Sequence, residues 1–259
     1  MTDSIEQAAQ RIVASMQRAY SGDAHYLEAR EADFPHLDLR FYRDFQAQHE
    51  AQGFRHMRDF EIAQVSNSPT TLVARTFIRG MVSAEGDIVA YYYQVKPRLG
   101  RLMRQLLRGL LNGRWLDTPR FVLRTLKTKH CTDYESELSN GHFITTSNAE
   151  SAGKLSSPPT IDTEFHPYGT PPVVLANRQR QRLDAHCASS PDAHACIVRT
   201  IDDLTKMQRR LKEQKNAYRA SIKWVSQEDL LKMSDRHPQL ATAIYEEVRK
   251  LMHADGQEG

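Results

Sequence analysis

The sequence contains few cysteines and no long apolar run, and both absences restrict the class of protein. Its three cysteines, Cys131, Cys187 and Cys196, are sparse and odd in number, which favours a reducing compartment over a disulfide framework. No run of about 18 apolar residues occurs, so we expect no membrane-spanning helix. The N-terminus carries Asp3 and Glu6 and has no basic region followed by an apolar one, which argues against a secretory signal. We therefore expect a cytoplasmic protein.

Motifs that mark catalytic or nucleotide-binding sites are also absent from the sequence. It contains no Gly-x-Ser-x-Gly elbow, no Walker sequence and no dinucleotide-binding fingerprint. We accordingly predict no cofactor and no metal, and the sequence identifies no catalytic residue. Zinc fingers and RNA-binding motifs are missing too, which argues against nucleic acid as a partner.

The positive charge of the chain is concentrated in one segment. The formal net charge of the whole chain is only +3. Residues 96–130 contain 10 Arg and Lys against 1 Asp, a local net charge of +9, whereas residues 1–95 carry −4 and residues 131–259 carry −2. A local block of this kind is typical of a surface that contacts anions.

The pattern of apolar residues predicts an α+β fold. Segments with strand-like alternation or many β-branched residues are separated by turns, and they lie at 54–65, 71–82, 88–97, 120–138 and 142–148. Gly86 and Asn140-Gly141 are typical turn residues between such strands. We therefore predict an antiparallel β-meander of about five strands, with N-terminal helices, a helical insertion after the third strand and a C-terminal helical region.

Helical spacing of apolar residues predicts the remaining elements. The predicted helices lie at 4–20, 38–52, 172–187, 192–219, 226–234 and 238–253, and Ser226 with Asp229 matches a capping box. Residues 148–172 are rich in Pro, Ser, Gly and Thr, and we predict an irregular loop there. The expected organisation is a sheet domain over 1–150 with the basic insertion at 97–116, a loop over 151–172 and a helical region over 173–259.

The basic insertion is predicted to be an amphipathic helix. Pro97 suits its first turn and Gly113 its end. One half of the helical wheel carries Leu99, Leu102, Met103, Leu106, Leu107, Leu110 and Leu111. The other half carries Arg98, Arg101, Arg104, Gln105, Arg108 and Asn112, with Arg114 and Trp115 following. Arginines three and four residues apart, with no acid between them, destabilise an isolated helix unless an anion compensates.

Three environments fit this helix. It can be a core helix with its leucines on the sheet, a helix on an anionic membrane surface, or a contact for an acidic partner or a nucleic acid. Interfacial helices combine basic residues on one side with Leu and Trp on the other. We predict that this protein is non-catalytic and associates peripherally with a membrane or an acidic protein surface. The residues predicted to make the contact are Arg98, Arg101, Leu102, Arg104, Leu106, Arg108, Leu110, Arg114 and Trp115.

The alternative is an enzyme, for example a hydrolase, with a pocket between the sheet and the long loop. Asp133, Glu135 and Glu137 share one face of a predicted strand, with Thr146 and Asn148 opposite on the hairpin. Such carboxylates suit a divalent cation or acid–base chemistry. They equally suit the solvent face of an edge hairpin, where charge discourages pairing with another chain. A third class, an adaptor for another chain, is compatible with the sequence but has no specific indication.

Two further groups of residues could take part in chemistry, but each also has a simpler structural interpretation. His186, Cys187, His194 and Cys196 could bind Zn²⁺, but their spacing is not a standard ligand pattern, and a helix–helix turn explains them as well. A disulfide between Cys187 and Cys196 is a further alternative.

His49 and His56 lie near Asp59 and Glu61 across a predicted helix-to-strand junction, where a histidine is more often structural than a base. Tyr91, Tyr92 and Tyr93 alternate between the faces of the third strand. One of these faces is expected in the core, and the other could line a pocket.

Overall fold

The computed structural model describes residues 5–20, 22, 26–63, 73–98, 100, 104, 128–190, 192–234 and 237–254. Within them lie six α-helices and seven strands. The helices are α1 (Ile5–Tyr20), α2 (Leu39–Glu50), α3 (Pro172–Ser189), α4 (Ile201–Ser221), α5 (Gln227–Met233) and α6 (Pro238–Ala254). The strands are β1 (Tyr26–Glu28), β2 (Arg55–Ile62), β3 (Ile78–Val82), β4 (Val89–Val95), β5 (Lys129–Glu137), β6 (Phe143–Ser147) and β7 (Ile161–Phe165). The fold is α+β, as the sequence predicts.

The strands form one sheet in the order β1-β2-β3-β4-β5-β6-β7. Every pair from β1–β2 to β5–β6 is antiparallel. β7 runs parallel to β6, since Thr163 Oγ bonds Thr145 Oγ at 2.7 Å and, further along both strands, His166 N–H donates to Ser147 O at 2.7 Å. The prediction of about five purely antiparallel strands is therefore wrong in number and direction, because the sheet has seven strands and is mixed.

The two strands that the sequence did not predict lie at the ends of the sheet order. β1 has only three residues, which is too short for a period-2 pattern to be visible. β7 lies inside the Pro- and Ser-rich stretch that was predicted to be an irregular loop. Residues 148–160 lead from β6 to β7, and a connection of about a dozen residues is what parallel strands require. Because this stretch is rich in Pro and Ser, its sequence pattern did not predict the strand β7.

One face of the sheet, which we call the helix face, packs against α2 and α3. In-register neighbours such as Ala90 and Tyr134, or Met81 and Ala90, share this face. Their core partners on the helices are Tyr42, Phe45, Leu175, Ala176 and Leu183. Tyr42 stacks on Phe77 at 4.0 Å between ring centroids. This is the main hydrophobic core of the sheet.

The opposite face, which we call the tyrosine face, carries a more polar set. Successive strands align a row of side chains across it in register: Arg58, Gly80, Tyr91, Asp133 and Ser147. The row beside it contains Phe60, Ile78, Tyr93 and Cys131. Tyr91 and Tyr93 therefore lie on this face and Tyr92 on the helix face, as strand alternation requires.

A bulge in β2 changes which residues share a face. The register shifts between His56 and Arg58, so that His56 pairs with Met81 while Arg58 pairs with Gly80. As a result His56 and Arg58 lie on opposite faces, although they are two residues apart. Simple alternation predicts the same face for both, and the bulge corrects that expectation.

By packing, the chain divides into two compact units. The sheet unit comprises Ala24–Glu150 and Asp162–Lys206, and the helical unit comprises Met1–Asp23, Ser151–Ile161 and Met207–Gly259. The core of the helical unit contains Ala9, Val13, Val225, Leu230, Ala241 and Val248. At its centre Arg219 and Asp229 form a buried ion pair with an N–O distance of 2.5 Å. The predicted capping box of Ser226 and Asp229 is present at the start of α5.

Candidate functional site

The basic insertion connects two strands that are direct neighbours in the sheet. β4 pairs with β5 along the whole length of β4, from Val89 opposite Glu135 to Val95 opposite Lys129. Residues 96–128 therefore connect strand ends that lie one strand spacing apart, about 5 Å. Hairpin loops commonly need about 2–5 residues. The β4–β5 pair itself does not require a connection of this length, which makes the insertion a candidate for function.

Most of the predicted contact residues lie outside the described part of the chain. These are Arg101, Leu102, Leu106, Arg108, Leu110, Arg114 and Trp115. Arg98 is described and half-buried, and Arg104 is described and exposed. Pro97 was predicted to open the helix, but it forms an isolated β-bridge with Val73. The extended backbone of β4 thus continues to Pro97, and a helix can begin only after it.

Side chains of the sheet unit hold both ends of the insertion in place. Before it, Gln94 bonds both the backbone N–H and the backbone carbonyl of Asp38, at 3.0 and 2.7 Å. After it, the His130 ring stacks on Phe41 with centroids 4.0 Å apart. The Lys129 ammonium lies 4.2 Å from the centroid of the Tyr168 ring. The strand ends on both sides of the insertion are therefore held by side-chain contacts within the sheet unit.

The three carboxylates of β5 are not the solvent face of an edge hairpin. β5 lies between β4 and β6, and β6 is itself covered by β7, so that interpretation is wrong. Glu137 is 4 % exposed. Asp133 accepts a hydrogen bond of 2.5 Å from Ser147 Oγ. Among the described residues, no group of three His, Cys, Asp or Glu side chains is placed to hold a metal ion. The carboxylates are instead part of the tyrosine face.

The groups beside Asp133 are held in their neutral forms. Burial, together with Asp133 and Cys131, raises the pKa of Tyr93 well above its usual value. Burial, with the Asp133 charge, likewise raises the pKa of the Cys131 thiol to about 12. A thiol with this pKa is protonated at neutral pH and is a poor nucleophile. This arrangement does not favour covalent catalysis.

The histidines and cysteines that follow one another at 186–196 lie on α3 and the segment after it. His142 and His186 are ring neighbours, with centroids 6.4 Å apart. No disulfide joins the three cysteines, all of which lie in the described residues. Cys187 packs against the hydrophobic core of the sheet unit. The disulfide alternative between Cys187 and Cys196 is therefore not what the structure contains.

His49 and His56 have separate structural environments. His49 is fully buried on α2, and burial lowers its pKa to about 4, although a hydrogen bond to Phe45 opposes the shift. Nδ1 lies 2.8 Å from Phe45 O, and Nε2 lies 2.6 Å from the hydroxyl oxygen of Tyr134, which itself donates to Pro172 O at 2.9 Å. His56 instead contacts Asp59, with 3.0 Å between Nε2 and Oδ1. The two histidines therefore have separate partners, a tyrosine and a backbone carbonyl for His49 and a carboxylate for His56.

Arg58 is the residue on the tyrosine face that the sequence did not single out. It lies in register with Gly80, and its guanidinium carbon is 4.7 Å from the centroid of the Phe60 ring. The one available signal in the sequence was an arginine among alternating aromatic positions, at Phe54, Arg58 and Phe60. That signal does not reveal how the guanidinium is paired.

Comparisons with known proteins add no relationship to this picture. No protein-family model matches the chain, and neither a search of curated proteins nor a search of solved structures finds a match. In the described residues, none of the helices has both the length and the apolar character needed to cross a membrane. Function must therefore be argued from the residues themselves.

Proposed function

We propose that this is a non-catalytic protein that attaches peripherally to an anionic membrane surface through residues 98–115. The observation that carries the proposal is the composition of the β4–β5 connection. It concentrates 10 basic residues and 1 acid within 96–130 and separates arginines from leucines around a helical wheel. An ordinary surface helix mixes the two signs of charge, because neighbouring opposite charges stabilise it. Anionic headgroups supply the missing negative charge and the acyl boundary accepts the leucines.

The position of the connection supports the proposal. Its two ends join adjacent strands of the sheet unit, so a membrane contact made by this segment attaches the sheet unit to the membrane. A basic residue near an anionic lipid surface contributes about 1 kcal/mol. Arg101, Arg104 and Arg108 together therefore contribute about 3 kcal/mol, which corresponds to a factor of roughly 100 in the binding constant.

The test is co-sedimentation of the full chain with vesicles of phosphatidylcholine alone or with phosphatidylserine. We expect binding only to the anionic vesicles, and weaker binding as salt is added, because salt screens exposed charges. The variant R101Q/R104Q/R108Q should bind roughly 100-fold more weakly. A matched control is R40Q/R209Q/R249Q, which removes the same charge from three exposed arginines elsewhere in the chain.

Two results would overturn the proposal. One is a full-length chain that ignores phosphatidylserine vesicles at low salt. The other is equal loss of binding in the test and control triples, because that would show a response to total charge and not to this segment. Salt-sensitive binding to an acidic protein without binding to vesicles would replace the membrane with an acidic partner.

A further inference from the structure

The end of the sheet that joins the basic insertion also carries an exposed aromatic side chain. Phe41, in the first turn of α2, is 46 % exposed, although it is a large apolar residue. Its ring lies on the ring of His130, with centroids 4.0 Å apart. His130 is the second residue of β5, the strand that follows the insertion. Phe41 therefore lies beside one of the two strand ends that the insertion connects.

A second aromatic side chain lies at the same strand end. The ammonium group of Lys129, the first residue of β5, is 4.2 Å from the centroid of the Tyr168 ring. Tyr168 lies between β7 and α3 and is half-buried. A tyrosine ring combines an apolar body with a polar hydroxyl, which suits a boundary between water and an apolar phase. Phe41 and Tyr168 thus contact the first two residues of β5.

The residues next to the insertion on both strands are cationic and include no acid over 94–98 and 128–130. The cations there are Lys96, Arg98 and Lys129. The start of α2 adds the two acids Asp38 and Asp44. Asp44 lies 3.6 Å from the exposed Arg40, so these two charges offset each other. The two aromatic rings therefore lie beside an excess of positive charge, which is the complement of an anionic lipid surface.

From this geometry we infer that the sheet unit makes a second contact with the anionic membrane, centred on Phe41 at the start of α2. The ring of Phe41 enters the boundary between headgroups and acyl chains, and Lys129 lies among the headgroups. The inference rests on the proposed function, because residues 98–115 make the first contact. It adds an orientation to that function, in which the end of β4 and the start of β5 are directed towards the lipid.

The opposite end of the strands provides a comparison within the same unit. Ile201, at the start of α4, is 48 % exposed. It closely follows Val198, whose N–H donates at 2.8 Å to the carbonyl oxygen of Gly86 in the turn between β3 and β4. A strand of the length of β4 places this turn about 20 Å from the strand end that joins the insertion. The inferred orientation therefore keeps Ile201 in water while Phe41 contacts lipid.

The test places a single tryptophan at each of these two positions in turn. The full chain with W115F and W224F has no tryptophan of its own, and F41W or I201W then supplies the fluorophore. With phosphatidylserine vesicles at low salt, we expect the emission of F41W to shift to shorter wavelength and to be quenched by brominated acyl chains, since tryptophan favours the membrane interface. I201W should show neither change. Co-sedimentation of the same proteins measures whether they bind the vesicles.

A second measurement compares vesicle binding by variants that keep both natural tryptophans. F41S should bind phosphatidylserine vesicles roughly 5- to 10-fold more weakly, because the exposed half of a phenylalanine side chain is no longer transferred from water to lipid. I201S removes an apolar side chain of similar exposure and should bind like the unmodified chain. Since both side chains are only half covered by the protein, both variants should remain folded, and urea denaturation checks this.

The outcomes separate this inference from the proposed function. Co-sedimentation with the vesicles without quenching of F41W would overturn the second contact and leave the attachment through residues 98–115 intact. Equal quenching of F41W and I201W, or F41S that binds as tightly as I201S, would also overturn it, because neither end of the strands would then be preferred. An unmodified chain that does not co-sediment with phosphatidylserine vesicles at low salt would overturn the proposed function and this inference with it.

Discussion

The arginines of this chain divide into two groups. In the sheet, Arg79 is buried opposite Asp59 and reaches Glu31 as well, at 3.0 Å. In residues 96–130, ten basic residues have a single aspartate among them. Arg58 also lies in the sheet, but in the described residues its Nε and Nη2 groups make no hydrogen bond. An arginine of the sheet can thus be matched by a carboxylate or carry buried donors without one, and its contribution to stability should differ accordingly.

The largest effect on stability should come from removing an arginine that is paired with a buried carboxylate. R79M removes the partner of Asp59, whose carboxyl group has a pKa below its usual value because hydrogen bonds from Arg79 and His56 outweigh the opposing effect of burial. Breaking one side of a buried ion pair costs about 3–5 kcal/mol. We expect a loss of this size in the free energy of unfolding, measured by urea denaturation. R43M is the control, since Arg43 is 68 % exposed and its pair with Glu31 should contribute less than about 1 kcal/mol. Equal losses in the two variants would contradict this distinction.

The second effect on stability should come from protonating the buried His49, which creates a charge without a partner. His49 is buried as a neutral ring with a pKa of about 4, against 6.5 in an ordinary environment. Protonation therefore favours the unfolded state. The stability due to the neutral ring is complete above about pH 6.5 and is lost as the pH falls towards 4, by at most about 3 kcal/mol.

The measurement is urea denaturation from pH 7 to pH 4, compared with H49F, which keeps an aromatic ring beside Phe45 and Phe54 but cannot titrate. The difference in unfolding free energy between the two proteins should shrink or reverse in favour of H49F as the pH falls. A difference that is independent of pH would show that His49 does not titrate in this range.

A smaller effect of opposite sign is expected at Arg58. R58M replaces a half-buried arginine with an apolar side chain of similar length. The buried Nε and Nη2 groups of this arginine have no acceptor in the described structure. We expect the unfolding free energy to stay the same or to rise by about 1 kcal/mol, because the cost of the buried donors disappears. A loss as large as that of R79M would mean that Arg58 is structural, and the comparison between the two residues would fail.

The smallest effect should come from G80A. The new methyl group makes ordinary contacts, and the extended backbone of β3 accepts alanine. Replacement of glycine at a compatible position stabilises by about 0.4–1 kcal/mol, chiefly through the unfolded chain. Thermal unfolding measures this gain. A clear loss would show that the space beside Phe60 and Tyr91 is smaller than the structure indicates.

The sequence predicted the parts of this fold that depend on local patterns. β2 to β6 lie within the five predicted segments, and the turn residue Gly86 has the positive φ, 85°, expected of it. The helix bounds differ little from the predicted ones except in α4, which begins at Ile201 and not at 192. Apolar periodicity and turn chemistry are properties of neighbouring residues, so a single sequence contains them.

The features that escaped prediction depend on contacts between distant residues. The bulge at His56 and Arg58 shows only in the pairing of β2 with β3, and the parallel pairing of β7 depends on β6. Likewise, the pairing of Arg79 and the lack of an acceptor for two donors of Arg58 are set by cross-strand neighbours, which no local pattern encodes. For the basic insertion, the sequence contains the charge and the leucine stripe, and the structure adds the strand ends from which the insertion starts.

The most direct test of the central claim, that residues 98–115 contact an anionic membrane, is the fluorescence of Trp115. The chain has two tryptophans, and W224F leaves Trp115 as the only one. When phosphatidylserine vesicles are added to this variant at low salt, we predict a shift of the emission to shorter wavelength and quenching by brominated lipid acyl chains, since an interfacial tryptophan lies at the headgroup level. Neutral vesicles should change neither property. An emission spectrum of Trp115 that is unchanged by anionic vesicles, with no quenching by brominated lipid, would contradict the account.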